Sequence, residues 1–263
     1  MNVIAKKSLG QNFLIDRNII DIIVDTVDIK DKKVLEVGPG TGNLTKALLE
    51  RKPKELFVIE KDKDLASLLK TEFKNKINVI NDDILNINEN IISNEKLIVF
   101  GNLPYNISTE ILCKWILNLN DDKIWFSNLI LMFQKEVADR IVADVHTNKY
   151  GRLSILADWK MNVQKIMDIN PENFYPKPKV QSSLLYLEPK RKFFTFENYK
   201  NLEKVTDIFF QNKRKMIKKP LNILFKDSKK IVEKFNLNEN NRPQNLDPYT
   251  FYKISKEYEN EYL

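Results

Sequence analysis

The stretch VLEVGPGTGNL, residues 34–44, runs from an apolar strand-forming segment through three glycines into a helix-forming one. Gly38, Gly40 and Gly42 are three of the chain's six glycines, set within five residues. Glycine weakens the elements on either side of it, so this density is expected where the backbone must turn sharply and lie close to a ligand. The helix that follows opens with unpaired N–H groups. Strand, glycine turn and helix in that order form the ligand-binding unit of a doubly wound α/β sheet.

The neighbouring sequence repeats the alternation. KVLEV, ELFVIE, INVIN, KLIVFG and NLILMF read as strands, with NLTKALLER and DLASLLKTEF as helices between them and DRNIIDIIVDTV as a leading helix. This order predicts a parallel sheet covered by helices on both faces. After Phe133 the pattern changes: QKEVADRIVAD and GRLSILADW read as helices, and NVQKIMDI and VQSSLLYLE as strands around the loop NPENFYPKPK. The second of these strands is expected to join the sheet antiparallel, at its edge. PKRK marks a boundary, giving a catalytic domain over 1–189 and a helical domain over 190–263, in which Pro220 must start or break a helix.

Composition narrows the function. Hydrophobic residues make up 43% and charged residues 30%, as in a soluble globular chain, and no apolar run approaches the roughly 20 residues needed to span a bilayer. The first residues, MNVIAKKSLGQNF, have neither a signal peptide's apolar core nor a transit segment's composition, so a cytoplasmic protein without a membrane partner is expected. Cys113 and His146 are the single cysteine and histidine, which argues against a disulfide, a thiolate metal site or a histidine-based hydrolytic triad; no metal is expected. The net charge is +7, but residues 190–230 alone hold 13 Lys and Arg against 4 Asp and Glu, so the positive excess is local. A concentrated basic segment is the footprint of a polyanion, most often nucleic acid.

The strand ends carry the chemistry. Glu60 lies 22 positions after Gly38, where an acidic side chain accepts hydrogen bonds from the hydroxyls of an adenosine ribose. INDDIL supplies Asp82 and Asp83, either of which could receive the adenine amine. A nicotinamide dinucleotide and S-adenosylmethionine both suit such a pocket. The Gly-x-Gly-x-Gly spacing after Glu36, with no hydride-transfer site downstream, favours S-adenosylmethionine.

FGNLPYNIST, residues 100–109, ends the next strand with Asn102, Pro104 and Tyr105. An adenine amine is a poor nucleophile because its lone pair is delocalised into the ring. The Asn102 side-chain oxygen and the Pro104 carbonyl could accept its two hydrogens and turn the lone pair toward a methyl donor, while Tyr105 stacks on the base. Positioning and electrostatics would then supply the catalysis without a strong base. Phe174 and Tyr175, on the proline-stiffened loop, could form the other face of a base sandwich.

Eight blocks in order, KKSLGQNFL, LEVGPGTGNLT, VIEKD, FGNLPYNIST, FQKEVADRI, YGRLSILADW, FYPKPKVQSS and FFQNKRK, closely resemble the ribosomal RNA adenine dimethyltransferase (KsgA) family through nearly the whole chain. The resemblance implies a Rossmann-like class I methyltransferase sheet with a small all-helical C-terminal domain. It implies transfer of methyl groups from S-adenosylmethionine to two adjacent adenosines near the 3′ end of small-subunit rRNA, with S-adenosylhomocysteine as product. Carried over by position, the cofactor contacts fall on Asn12, Leu14, Gly38, Gly40, Glu60, Asp83 and Asn102, with Asp83 chosen over Asp82 because Ile84 follows it. Asn102, Pro104, Tyr105 and Phe174 become the catalytic set.

The same resemblance makes KKSLGQNF part of a flap over the pocket, and gives Lys213, Arg214, Lys215, Lys218 and Lys219 to RNA binding. A monomer acting on the assembling small subunit is expected. Pro220 and Pro243 depart from the family's usual residues and concern RNA docking rather than chemistry. Relatives that methylate large-subunit rRNA and confer macrolide resistance usually carry Ile in place of Leu103, so Leu103 points to the small-subunit group. The alternatives are an enzyme of that resistance type and a non-catalytic ribosome assembly factor.

Overall fold

The computed structural model describes residues 5–6, 9–119 and 124–262. Residues 1–4, on which the absence of a leader was partly read, and Lys7 and Ser8 of the expected flap lie outside the described residues. In chain order the elements are β1 (Phe13–Leu14), α1 (Arg17–Val24), β2 (Lys33–Val37), α2 (Asn43–Glu50), β3 (Glu55–Ile59), α3 (Lys63–Phe73), β4 (Asn78–Ile80), β5 (Leu97–Gly101), α4 (Ser108–Leu117), β6 (Phe126–Gln134), α5 (Lys135–Ile141), α6 (Arg152–Lys160), β7 (Met161–Ile169), β8 (Phe174–Tyr175), β9 (Ser182–Pro189), α7 (Lys200–Gln211), α8 (Lys218–Leu224), α9 (Ser228–Lys234) and α10 (Pro248–Tyr262).

The chain divides into two compact units, residues 1–138 with 162–189, and residues 139–161 with 190–263. The segment 139–161, which contains α6, therefore packs with the C-terminal helices rather than with the sheet.

The first unit is built on a seven-stranded sheet in the order β4-β3-β2-β5-β6-β9-β7. β4, β3, β2, β5 and β6 pair in parallel. β5 is buried along its whole length and β2 at all but its first residue, which is why both read as continuous apolar runs rather than alternating ones. The chain winds outward from β2 through β3 to β4, then returns to β5 on the other side of β2. The carboxyl ends of β2 and β5 thus flank the point where strand order reverses, the crevice in which such sheets bind ligands.

β9 pairs antiparallel with β6 as expected, but it is not the edge: β7 lies beyond it. The physical reason is visible in the side chains. β9 is mostly buried, whereas β7 exposes alternate residues, the pattern of a half-covered strand. A separate two-stranded ribbon pairs β1 with β8, setting Phe13 opposite Tyr175 and Leu14 opposite Phe174.

α1 is started by Asp16, whose side chain accepts from the N–H groups of Asn18 and Ile19, and it buries Ile20, Ile23 and Val24. α3 is started in the same way by Asp62, which accepts from Asp64 N–H.

The second unit is helical, with buried Val205, Phe209, Leu221, Phe251 and Ile254 at its centre. Phe209 and Phe251 meet edge to face with ring centroids 5.3 Å apart. The single hydrogen of the Tyr252 hydroxyl has two acceptors within reach, Asp158 Oδ2 at 2.8 Å and Ile155 O at 3.1 Å, tying α10 to α6. Pro220 occupies the first turn of α8, where its missing N–H has no helical acceptor to lose.

Candidate active site

The glycine turn after β2 is pressed against two other segments. Gly38 and Gly40 have φ of 73° and 57°, a region that side chains disfavour. A Cβ on Gly38 would lie 3.0 Å from the backbone oxygen of Asn102, and one on Gly40 would lie 2.7 Å from the Phe13 ring. Glycine is therefore required at both positions by backbone conformation and by space. The result is a wall on which the ends of β2 and β5 and the N-terminal segment meet.

Glu60, just after β3, is buried, and its carboxylate accepts from Gly40 N at 3.1 Å and from Asp62 N at 2.8 Å. Burial raises its pKa, opposed by these N–H groups. Each carboxylate oxygen has a lone pair beyond the one so used, enough for two further hydroxyl donors. Asp62 in turn receives Lys6 Nζ at 2.8 Å and Gln11 Nε2 at 3.2 Å, which fastens the N-terminal segment beside Glu60. Burial works against ionisation of Asp62, but these hydrogen bonds hold its carboxyl below the usual range.

Asp82 and Asp83 both reach the cleft wall. Asp83 accepts from Lys61 Nζ at 2.7 Å through one oxygen and from Leu85 N at 3.1 Å through the other. Burial pushes its pKa up, and these donors more than offset it, so the carboxyl is held low.

The turn after β5 is anchored at three points. Leu103 is buried beneath it. The Asn102 side chain donates from Nδ2 to Asn12 O at 2.8 Å, and no hydrogen bond from the described residues reaches its Oδ1. The Tyr105 hydroxyl bonds Ser182 Oγ at the start of β9, and burial raises the Tyr105 pKa while Ser182 lowers it. The Pro104 carbonyl accepts Ile107 N at 3.1 Å, so one of its two lone pairs is already used.

Asn12, Gly38, Gly40, Glu60, Asp83, Asn102, Pro104 and Tyr105 all line a single cleft enclosing about 860 Å³ of free space, part of it open to solvent. Two expected site residues are elsewhere. Leu14 is buried and borders a smaller neighbouring cavity with Glu36 and Met132. Phe174, paired opposite Leu14, is 3% exposed and belongs to the apolar core, while Tyr175 beside it is 63% exposed.

Leu9, Gly10, Gln11 and Phe13, from the segment expected as a flap, also line the cleft, as do Lys61 and Ile84, to which sequence reasoning gave no role. Gly10 carried a signal, since it is a fourth glycine with positive φ and a Cβ there would lie 3.1 Å from Asn106 Oδ1.

In the second unit Arg214, Lys215, Lys218 and Lys219 are exposed, whereas Lys213 is partly buried and donates from Nζ to Asn148 O at 2.6 Å. Among the described residues no group of three or more His, Cys, Asp and Glu side chains is placed to hold a metal ion, and no helix is long and apolar enough to cross a membrane.

Chemically, the cleft offers a buried carboxylate for vicinal hydroxyls, a second carboxylate for an amine, and an anchored amide whose oxygen is open. That set of acceptors suits an adenosine on one side and an amine on the other.

A family model described as ribosomal RNA adenine dimethylase matches residues 2–260. Ribosomal RNA small subunit methyltransferase A of Pelagibacter ubique (strain HTCC1062) is 59% identical over 259 residues, 98% of each chain. The protein of the same name from Ehrlichia chaffeensis (strain ATCC CRL-10679 / Arkansas) is 40% identical over 95% of each chain. A crystal structure of a dimethyladenosine transferase from Plasmodium falciparum aligns with a TM-score of 0.81 at 28% identity, covering 95% of this chain and 98% of that one. The 23S rRNA methyltransferase ErmE shares the fold, with a TM-score of 0.68 at 22% identity over 94% of this chain and 99% of that one.

Proposed function

The chain belongs to the ribosomal RNA adenine dimethylase family, and from that premise we propose that it dimethylates the exocyclic amines of two adjacent adenosines near the 3′ end of small-subunit rRNA, using S-adenosylmethionine. The names of the 59% and 40% identical relatives support the small-subunit assignment. We further propose that it acts as a monomer in the cytoplasm on the assembling subunit, with the basic face of residues 190–263 docking RNA phosphates.

The acceptors of the cleft fit the cofactor. Bound there, S-adenosylmethionine supplies an electrophilic methyl group on a sulfonium. Glu60 would accept the ribose hydroxyls and Asp83 the adenine amine, while Gly38 and Gly40 let the backbone approach closely. Leu14, a buried residue of the ribbon, would support that wall from behind.

Asn102 and Pro104 then act on the target base. The Asn102 amide cannot rotate freely, because Nδ2 is held by Asn12 O, so Oδ1 is presented as an acceptor. The remaining lone pair of the Pro104 carbonyl would take the second amine hydrogen. On gaining the methyl the nitrogen becomes positively charged and far more acidic than the neutral amine, so its proton passes to water without a strong base, and the two acceptors need only orient. Tyr105, held by Ser182, would stack on the base; Phe174, in the apolar core opposite Leu14, would fix the strand that carries Tyr175.

The observation that carries this reading is the anchored Asn102 amide opening onto the same cleft as Glu60 and Asp83. The test is methyl transfer from labelled S-adenosylmethionine to small subunits lacking the adenine modification, with large-subunit rRNA in parallel and the labelled base mapped. Label on two neighbouring small-subunit adenosines is expected. Asn102→Ala should nearly abolish it while RNA binding stays within a few-fold. Label on large-subunit RNA alone, or none despite tight cofactor binding, would overturn the assignment.

A further inference from the structure

Lys114 lies on α4, the helix that begins three residues after Tyr105. Its ammonium donates to Ile84 O at 2.8 Å, Ile87 O at 2.6 Å and Glu89 Oε1 at 2.8 Å. A lysine ammonium has three N–H donors, and all three are directed at the segment between β4 and β5. The neighbouring Trp115 donates from Nε1 to the same Glu89 oxygen at 2.7 Å. Glu89 is 5% exposed, so its charge is compensated inside the protein rather than by solvent.

The segment held in this way carries Asp83 and Ile84, which line the cleft, and α4 extends from the turn bearing Asn102, Pro104 and Tyr105. Two walls of the cleft that are distant in sequence are thus joined through one side chain. An ordinary surface lysine would not be drawn to three convergent acceptors, two of them backbone carbonyls, because leaving water for them needs good geometry at every donor.

We propose that Lys114 is a positioning residue that fixes the Asp83–Ile84 wall against the amine-binding turn, and through it sets the preference of the cofactor site for adenine over other purines. The inference rests on the proposed reading of Asp83 as the partner of the cofactor's adenine amine. Lys114 also lies close enough for its charge to help lower the Asp83 pKa, against the larger opposing effect of burial, which keeps that acceptor ionised.

The test is calorimetric binding of two ligands to the full-length protein: S-adenosylhomocysteine, and S-inosylhomocysteine, in which the 6-amino group is replaced by an oxo group. The wild type is expected to prefer the adenine ligand by roughly tenfold or more, since a carboxylate facing an oxo group loses its donor. Lys114→Met combined with Glu89→Gln removes the ammonium and its buried counter-charge together. It should bind S-adenosylhomocysteine roughly tenfold more weakly and bring the preference toward one. Lys114→Arg keeps the charge, but a planar fork does not reproduce three convergent donors, so an intermediate preference is expected even if the double variant does not fold. Trp115→Phe, which leaves the three Lys114 bonds in place, should retain the wild-type preference.

An unchanged preference in both Lys114 variants, equal weakening toward both ligands, or a loss of preference in Trp115→Phe as large as in the Lys114 variants would overturn the inference. Absence of a preference in the wild type would overturn the adenine reading of Asp83 itself, and the inference with it.

Discussion

The side-chain amide of Asn102 is joined to the backbone carbonyl of Asn12 by a 2.8 Å hydrogen bond that spans 90 positions of sequence. It decides which end of the amide faces the cleft. Asn102→Asp keeps the shape but replaces the donor with an oxygen, setting lone pair against lone pair at that distance. The side chain must then rotate or push the N-terminal segment away. The expected result is a fall in turnover of roughly 10²–10³-fold, the scale of losing one preorganised polar group at a reacting centre. Single-turnover methylation measures it, and near-wild-type turnover would exclude the orienting role.

Tyr105 and Ser182 are joined through their hydroxyls, although they sit on different elements. If the ring must be held to stack on a base, Tyr105→Phe and Ser182→Ala each release it. Each change should lower turnover by roughly 5–10-fold, about one hydrogen bond, and the double variant should be no slower than the worse single one. That non-additivity is the signature of a shared interaction. Losses that simply multiply would mean the two residues act separately.

The sheet was legible because its parallel strands are continuous apolar runs separated by amphipathic helices, two signals that local sequence carries well. The cleft was legible at strand ends, where Gly38, Glu60, Asp83 and Asn102 stand just after apolar runs and are brought together by strand order. What could not be read locally was set by pairing at a distance. β9 was expected at the edge because nothing in VQSSLLYLE reveals that β7 pairs outside it. Phe174 was expected to face a base because it neighbours proline and Tyr175. Its pairing opposite Leu14, about 160 positions earlier, turns it into the core instead. The contributions of Gln11 and Lys61 to the cleft arise from hydrogen bonds to acidic partners that their own sequence context does not announce.

Glu36 gives a pH dependence with a definite sign. It is buried, and among the described residues it accepts only Thr45 Oγ1, at 2.6 Å, with no partner for Oε1. Burial pushes its pKa from 4.5 to about 8, with Glu60's charge adding to the rise. Between these values the folded chain keeps a proton that the unfolded chain releases, so its contribution to stability is lost as pH rises through the window and is constant above it. Glu36→Gln stays neutral throughout. Relative to this variant, the wild type should therefore lose stability from about pH 4.5 to about pH 8, by on the order of 1 kcal/mol per pH unit. Denaturant unfolding of both proteins across that range measures the difference. A difference independent of pH would mean that Glu36 titrates normally.

The basic run after α7 predicts a salt dependence. Arg214, Lys215, Lys218 and Lys219 are exposed, whereas the Lys213 ammonium is engaged by Asn148 O at 2.6 Å. Among the described residues Lys218 has one acidic neighbour, Glu239, at 3.9 Å, too distant and too exposed to compete strongly with a phosphate. If these four side chains neutralise rRNA phosphates, each releases a counterion on binding. Changing all four to Gln should then flatten the slope of log affinity against log salt by roughly 3, with the loss largest at low salt and shrinking as salt rises. Filter binding to the small-subunit rRNA fragment over a salt series reads this directly. A variant that binds more weakly with an unchanged slope would place the phosphate contacts elsewhere, and would leave these cations as a solvated face.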